Sequence, residues 1–131
     1  MIIIRKIILL FFVIISLIAL SACSQDDILH LGVNARIVDI DIDNQILYIS
    51  DYGDDKIFGS EFAIDCSELI QDENIIYVNY DTHNLFDISF DDLRIGDDII
   101  ISLYQSQLDS IPNGIIQVEQ IQLATQRLFI N

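Results

Sequence analysis

Basic residues are scarce in this chain. Six lysines and arginines stand against 21 aspartates and glutamates, a formal net charge of −15. A nucleic-acid binder gains affinity by neutralising phosphates with Lys and Arg, so this balance excludes DNA and RNA as partners. It equally excludes a polybasic contact with anionic lipid headgroups. Cysteine and histidine number two each, and none of them stands at zinc-ligand spacing. The five glycines form no phosphate-cradling loop, and no serine lies in a nucleophile motif. The single proline, Pro112, precedes the last candidate strand. Cations, basic peptides or no electrostatic partner at all are what the charge leaves. The plainer reading is that the acid keeps an isoleucine-rich domain soluble and monomeric.

What the chain does have is a distinctive start. Arg5 and Lys6 precede an apolar run from Ile7 to Leu20 that only Ser16 interrupts, followed by Ser21, Ala22 and Cys23. A basic beginning, a short apolar segment and small residues at its end describe a secretory signal peptide. The run is shorter than the roughly 20 apolar residues a bilayer-spanning helix needs. Leu20-Ser21-Ala22-Cys23 resembles the lipobox of bacterial lipoproteins at all its positions. The resemblance implies a diacylglyceryl group on the Cys23 sulfur and cleavage between Ala22 and Cys23. Two acyl chains make a stable membrane anchor where one is marginal. An uncleaved anchor helix with Cys23 a bystander is the alternative.

The expected organisation is a signal peptide over 1–22, a lipidated tether over 23–32 and one small domain over 33–131. Arg5 and Lys6 leave with the signal, so four basic residues (Arg36, Lys56, Arg94, Arg127) face all 21 acidic ones, seventeen excess negative charges. Lipidation of Cys23 leaves Cys66 without a disulfide partner. Cys66 continues the apolar alternation of Phe62 and Ile64, which points it into a core as a small apolar side chain. Catalysis there would need a base, and no motif brings His30 or His83 to it.

The domain reads as strands. Val38, Ile40 and Ile42 alternate with Asp39, Asp41 and Asp43, the period-two pattern of a half-buried strand. Asp43-Asn44 is a turn candidate, and Ile46 to Ser50 returns as a second strand. Before this stretch the apolar positions are odd (Val33, Ala35, Ile37); after it they are even, and such a change in mid-strand predicts a β-bulge. A like shift separates Ile116 and Val118 from Ile121 and Leu123. Further strands are expected over Phe58–Cys66, broken near Gly59, and over Ile75–Tyr80, Asp97–Gln105 and Gly114–Ala124. A helical turn is expected over Ser67–Asp72 with Ser67 as N-cap, and a turn over Asp81–Asn84.

The fold class that follows is all-β: a small OB-like barrel or half-open curled antiparallel sheet of five or six strands, with at most one short helix, preceded by the signal-peptide helix. An up-and-down barrel or a sandwich is the alternative. The stretch Phe90-Asp91-Asp92-Leu93-Arg94-Ile95-Gly96-Asp97-Asp98-Ile99 resembles the Gly-Asp junction before a strand in small OB-like domains of secreted Gram-positive lipoproteins. Gly-Asp before a strand also has a conformational rationale of its own.

Candidate sites are few. Asp39, Asp41, Asp43 and Asn44 look superficially like the start of a calcium loop, but Asn44 and Ser50 occupy the positions where that loop needs Gly and Glu. The pairs Asp54-Asp55, Asp91-Asp92 and Asp97-Asp98 fall at turns, and no pair is placed across a cleft as glycoside hydrolysis requires. Tyr48, Tyr52, Tyr77, Tyr80 and Tyr104 would serve either as a stacking face or as rim residues of the core. No cofactor, metal or catalytic residue is assigned. Ala22 and Cys23 mark the cleavage site, and Cys23 the lipidation site. The expectation is a monomeric, non-enzymatic binding or interaction module, anchored outside the cytoplasm through the lipid on Cys23, with an envelope protein or small ligand as partner. Ser24, rather than Asp, after the cysteine permits outer-membrane transport in a Gram-negative envelope and has no bearing in a Gram-positive one. An accessory subunit of a transporter or envelope enzyme complex, and an envelope enzyme with an unseen site, stay open.

Overall fold

The computed structural model describes residues 2–22, 26–52, 61–111 and 114–128. Helix α1 (Ile2–Ala22) comes first. The domain follows as β1 (Leu29–Asp41), β2 (Ile46–Asp51), β3 (Phe62–Asp65), α2 (Ser67–Gln71), β4 (Ile75–Val78), β5 (Leu85–Asp87), a 3-10 turn (Phe90–Asp92), β6 (Asp98–Tyr104), α3 (Gln105–Leu108), β7 (Ile115–Ile116) and β8 (Gln120–Leu123). The strands form one curled sheet in the order β5-β4-β8-β6-β1-β2-β3-β7. Mostly sheet is as expected, but among the described residues there are eight strands rather than five or six. Helices α2 and α3 with the 3-10 turn exceed the single short helix expected. The sheet is also mixed rather than antiparallel, because β3–β7 and β4–β8 pair in parallel.

The long strand β1 organises the sheet. It pairs with β6 along its first half and with β2 along its second. Its alternation is that of a strand with one buried face: Val33, Ala35 and Ile37 are buried while Asn34 and Arg36 are exposed. The predicted bulge is present, a register shift between Ile37 and Asp39 against β2. A second shift lies between His30 and Val33 against β6, where Gly32 has φ +75°, a conformation that suits glycine. The β1–β2 turn lies one residue earlier than expected, so Ile42 belongs to it and is exposed.

The other parity shift also marks a real break. The expected strand over Gly114–Ala124 divides into β7 and β8, separated by Gln117, Val118 and Glu119. β7 lies beside β3, whereas β8 lies between β4 and β6. A chain that crosses from one side of a sheet to the other within three residues must curl that sheet. The concave side is filled by Ile64, Leu47, Ile49, Ile99, Ile101, Leu103, Ile121 and Leu123, all essentially inaccessible. Burying each such side chain contributes about 1.5–3 kcal/mol.

Two local readings need correction. Ser67 does not cap α2. The N-cap is Cys66, without a side-chain bond, and Asp65 Oδ1 instead accepts the Ser67 N–H at 3.0 Å. Strand β5 was not foreseen, because three residues flanked by polar neighbours show no periodicity. The break near Gly59, the loop position of Pro112 and the pair Asp54-Asp55 lie outside the described residues.

Asp97 is the one buried charged residue among those described, 4% exposed. It follows Gly96, whose φ of +93° turns the chain sharply into β6. Ile37 meets this junction with both backbone groups: its N–H donates to the Asp97 carbonyl (2.9 Å) and its carbonyl accepts from Gly96 N–H (2.8 Å). The Asp97 carboxylate accepts the Arg94 N–H at 2.8 Å. It also takes a side-on pair of bonds from Arg127, Nε to Oδ1 at 2.9 Å and Nη2 to Oδ2 at 2.7 Å. Arg127 Nη2 further donates to the Asp92 carbonyl. The hydrogen bond to Asp97, with the charge of that carboxylate, raises the Arg127 pKa.

The residues after β8 form a strap around this junction. Thr125 Oγ1 accepts from Asp98 N–H at 2.8 Å. Gln126 donates to the Val78 carbonyl and accepts from Tyr80 N–H, both at 2.9 Å. The Tyr77 hydroxyl donates to the Leu128 carbonyl at 3.1 Å.

Removing one member of a buried pair leaves the other charged and unpaired. Arg127→Ala is expected to cost about 3 kcal/mol on that ground, and Asp97→Ala more, because the Arg94 N–H also loses its acceptor. Urea unfolding of the two variants beside the parent measures this. Midpoints unchanged within 0.5 M, an order-of-magnitude threshold of about 1 kcal/mol at usual slopes, would contradict it.

Candidate functional site

The motif expected to direct cleavage and lipidation, Leu20-Ser21-Ala22-Cys23, falls where α1 ends. Ala22 is the last residue of the helix; Cys23 and Ser24 lie outside the described residues. From Ile2 to Ser16 every side chain of the helix is exposed. Arg5 and Lys6 are its charged residues, and Ser16 turns its hydroxyl inward to the Phe12 carbonyl at 3.0 Å. Such a helix has no polar face to offer water, the pattern of a segment meant for an apolar surrounding. No helix among the described residues is long and apolar enough to cross a membrane.

The chain after the motif is gathered in quickly. Strand β1 starts at Leu29, inside the stretch expected to be tether. Even before it, Asp27 accepts from Ser106 twice, from the backbone N–H at 3.0 Å and from the hydroxyl at 2.5 Å. Gln105 N–H donates to the Ile28 carbonyl at 2.7 Å, and His30 Nε2 shares a 2.6 Å hydrogen bond with Gln105 Oε1. Helix α3 therefore exists where it does to receive this segment. His30, one of two histidines that a search for bases singles out, is a clasp between β1 and α3.

Asp41, Asp92, Asp97 and Asp98 among the acidic candidates are structural ligands of the protein itself. Asp41 accepts from Asn44, backbone N–H at 3.2 Å and Nδ2 at 2.8 Å. Those bonds lower its pKa and close the β1–β2 turn. Asp92 Oδ2 accepts from Ser89 N–H at 2.9 Å, and Ser89 Oγ from Asp91 N–H at 3.3 Å, a reciprocal cap. Asp97 holds Arg127, and Asp98 pairs with Arg36 at 2.9 Å. Arg36 in turn lies over the Tyr52 ring, 4.3 Å from its centre. Among the described residues no three His, Cys, Asp or Glu side chains are grouped to hold a metal ion.

The tyrosines do not share one face. Tyr77 is a core residue, Tyr48 and Tyr104 are half-buried, and Tyr52 and Tyr80 are exposed. His83 takes a positive φ of 62° in the turn after β4 and is exposed. Cys66 is fully buried, with Sγ–H pointing at the Ile64 carbonyl at 3.8 Å. Burial, with the charge of Asp65 adding to it, pushes its pKa up to about 12. A thiol held in its neutral form is not a nucleophile. The contributions that the sequence concealed are those of Asp27, Gln105, Ser106 and Arg127, whose partners are remote along the chain. Comparison with family models, with curated proteins and with solved structures returns no match.

The inert thiol has two measurable consequences. Iodoacetamide at pH 8 should leave Cys66 unmodified in the folded domain and alkylate it once urea unfolds the protein; rapid native alkylation would contradict the burial. The folded pKa lies above the unfolded value, so this group favours folding below the unfolded pKa. That contribution declines as pH rises from about 8.5 toward the folded value of about 12. A Cys66→Ala variant should lose less stability than the parent over that alkaline range.

Proposed function

We propose that this chain is the precursor of a bacterial lipoprotein, cut between Ala22 and Cys23 and held at the membrane by a diacylglyceryl group on Cys23. The observation that carries the proposal is Leu20-Ser21-Ala22-Cys23 closing an apolar segment that begins after Arg5 and Lys6. The exposed apolar surface of α1 supports it, since such a helix favours a lipid or translocon environment over water. The apolar run from Ile7 to Leu20 is about 21 Å long at ~1.5 Å per residue, short of the ~30 Å hydrocarbon core, which favours a cleaved signal over a permanent span.

The mature part is a small OB-like barrel in this proposal. β1 joins β2 and β6, and the bent last strand reaches β3 through β7 and β6 through β8. The hairpin of β4 and β5 is an addition to that ring. The domain acts as a non-enzymatic binding or interaction module outside the cytoplasm. Among the acidic candidates, Asp41, Asp92, Asp97 and Asp98 are engaged in a turn, a cap and two ion pairs, which supports that choice. Membrane attachment falls to the lipid alone as far as charge is concerned, because seventeen excess negative charges gain nothing from anionic headgroups.

The test is processing in the cell. The parent should appear in membranes as a species shorter than the precursor by residues 1–22. Cys23→Ser should accumulate as the full-length precursor, since the dedicated peptidase acts on the lipidated cysteine. Equal processing of both would contradict lipidation.

A further inference from the structure

We infer that Ile28, Leu29 and Leu31 insert into the lipid surface to which Cys23 is tied, so that the domain stands on the membrane with the start of β1 inward. This rests on the lipoprotein reading above. Large aliphatic side chains scattered singly over a surface need no explanation. Here three fall within four consecutive positions, exposed 60%, 42% and 72% respectively. Their neighbour in chain order is the anchor. Six residue steps lead from Cys23 to Leu29, a reach of at most about 22 Å fully extended. The reach is less in practice, because Asp27 is already bound to Ser106 and Ile28 to Gln105. The lipid thus holds this cluster within a short distance of the bilayer whether or not any other contact forms.

Three carboxylates, Asp26, Asp27 and Asp109, border this end. Asp27 is bonded to Ser106 and Asp109 accepts from Gln105 Nε2 at 2.9 Å, so all three stay charged and take the headgroup level, in contact with water, when the aliphatic side chains insert. The acidic turn holding Asp41, Asp43 and Asn44 lies at the other end of β1. Along the strand Leu31 and Ile42 are up to about 36 Å apart at ~3.3 Å per residue. Docking at the Leu31 end therefore carries the acidic turn away from the headgroups.

The experiment uses the full chain, processed in cells, purified in detergent and reconstituted into phosphatidylcholine vesicles whose acyl chains carry bromine quenchers. A polarity-sensitive fluorophore is placed on L31C or on I42C. Cys66 does not compete for the label, being buried and protonated. The label at position 31 should emit at shorter wavelength and be quenched several-fold more than the label at 42. Replacing Ile28 and Leu29 by Ser in the L31C chain should weaken that quenching. Equal, weak quenching at 31 and 42 overturns the inference, and is the result expected if a protein rather than lipid covers the cluster. Quenching at 31 that survives the two serines overturns it as well. Intact mass of the same samples separates the two levels. Lipid on Cys23 with weak quenching defeats the docking alone, while an unmodified Cys23 defeats the anchor and the docking together.

Discussion

The Asp97 carboxylate is the interaction on which the rest of the domain depends. A buried charge is tolerated only when its hydrogen-bonding capacity is met, and here the donors come from distant parts of the chain. Arg94 supplies the backbone group just before the junction, and Arg127 supplies the side chain just after the last strand. The bulge of β1 is fixed to the same place through both backbone groups of Ile37. The start of β6, the bend of β1 and the strap after β8 therefore share one anchoring point. The strap continues from there through Thr125, Gln126 and Leu128 to β6 and β4, which keeps β4 registered beside β8.

Much of this was legible in the order of residues. The parity change between Ile37 and Val38 located the bulge, while the change after Val118, read as a bend within one strand, falls where the chain breaks into β7 and β8. Both are period-two signals, and period two is a property of the chain alone. The Gly96-Asp97 pair was legible as a turn into a strand. Its partner was not, because Arg127 is thirty positions away and an isolated arginine near the end of a chain carries no local pattern. The same reason hid the clasp of Asp27, Gln105 and Ser106. Pairing in parallel was hidden too, since hydrophobic alternation does not encode strand direction. Three-residue β5 and four-residue α3 are too short to display any period.

The candidate site divides along the same line. A lipobox is a contiguous motif, so sequence suffices to suggest it. A ligand site assembled from remote side chains would have to appear in the fold, and there Asp41, Asp92, Asp97 and Asp98 resolve into a turn, a cap and ion pairs and Tyr77 into the core, while Tyr52 and Tyr80 stay exposed. The arrangement that results joins two ties of different kind. One is internal, the Asp97–Arg127 pair that closes the domain. The other is the external tie proposed at Cys23, six positions before β1 begins at Leu29. Between them Asp27 and Ile28 are bonded to Ser106 and Gln105 of α3, which ties the chain to the domain from Asp27 onward.

That external tie can be read most directly from the N-terminal peptide of the mature protein. After extraction from membranes and proteolysis, mass spectrometry of the fragment that begins at Cys23 should show a diacylglyceryl adduct and no residue from 1–22. A fragment beginning with unmodified Cys23, or one still carrying Ala22 and the apolar segment, would contradict the account.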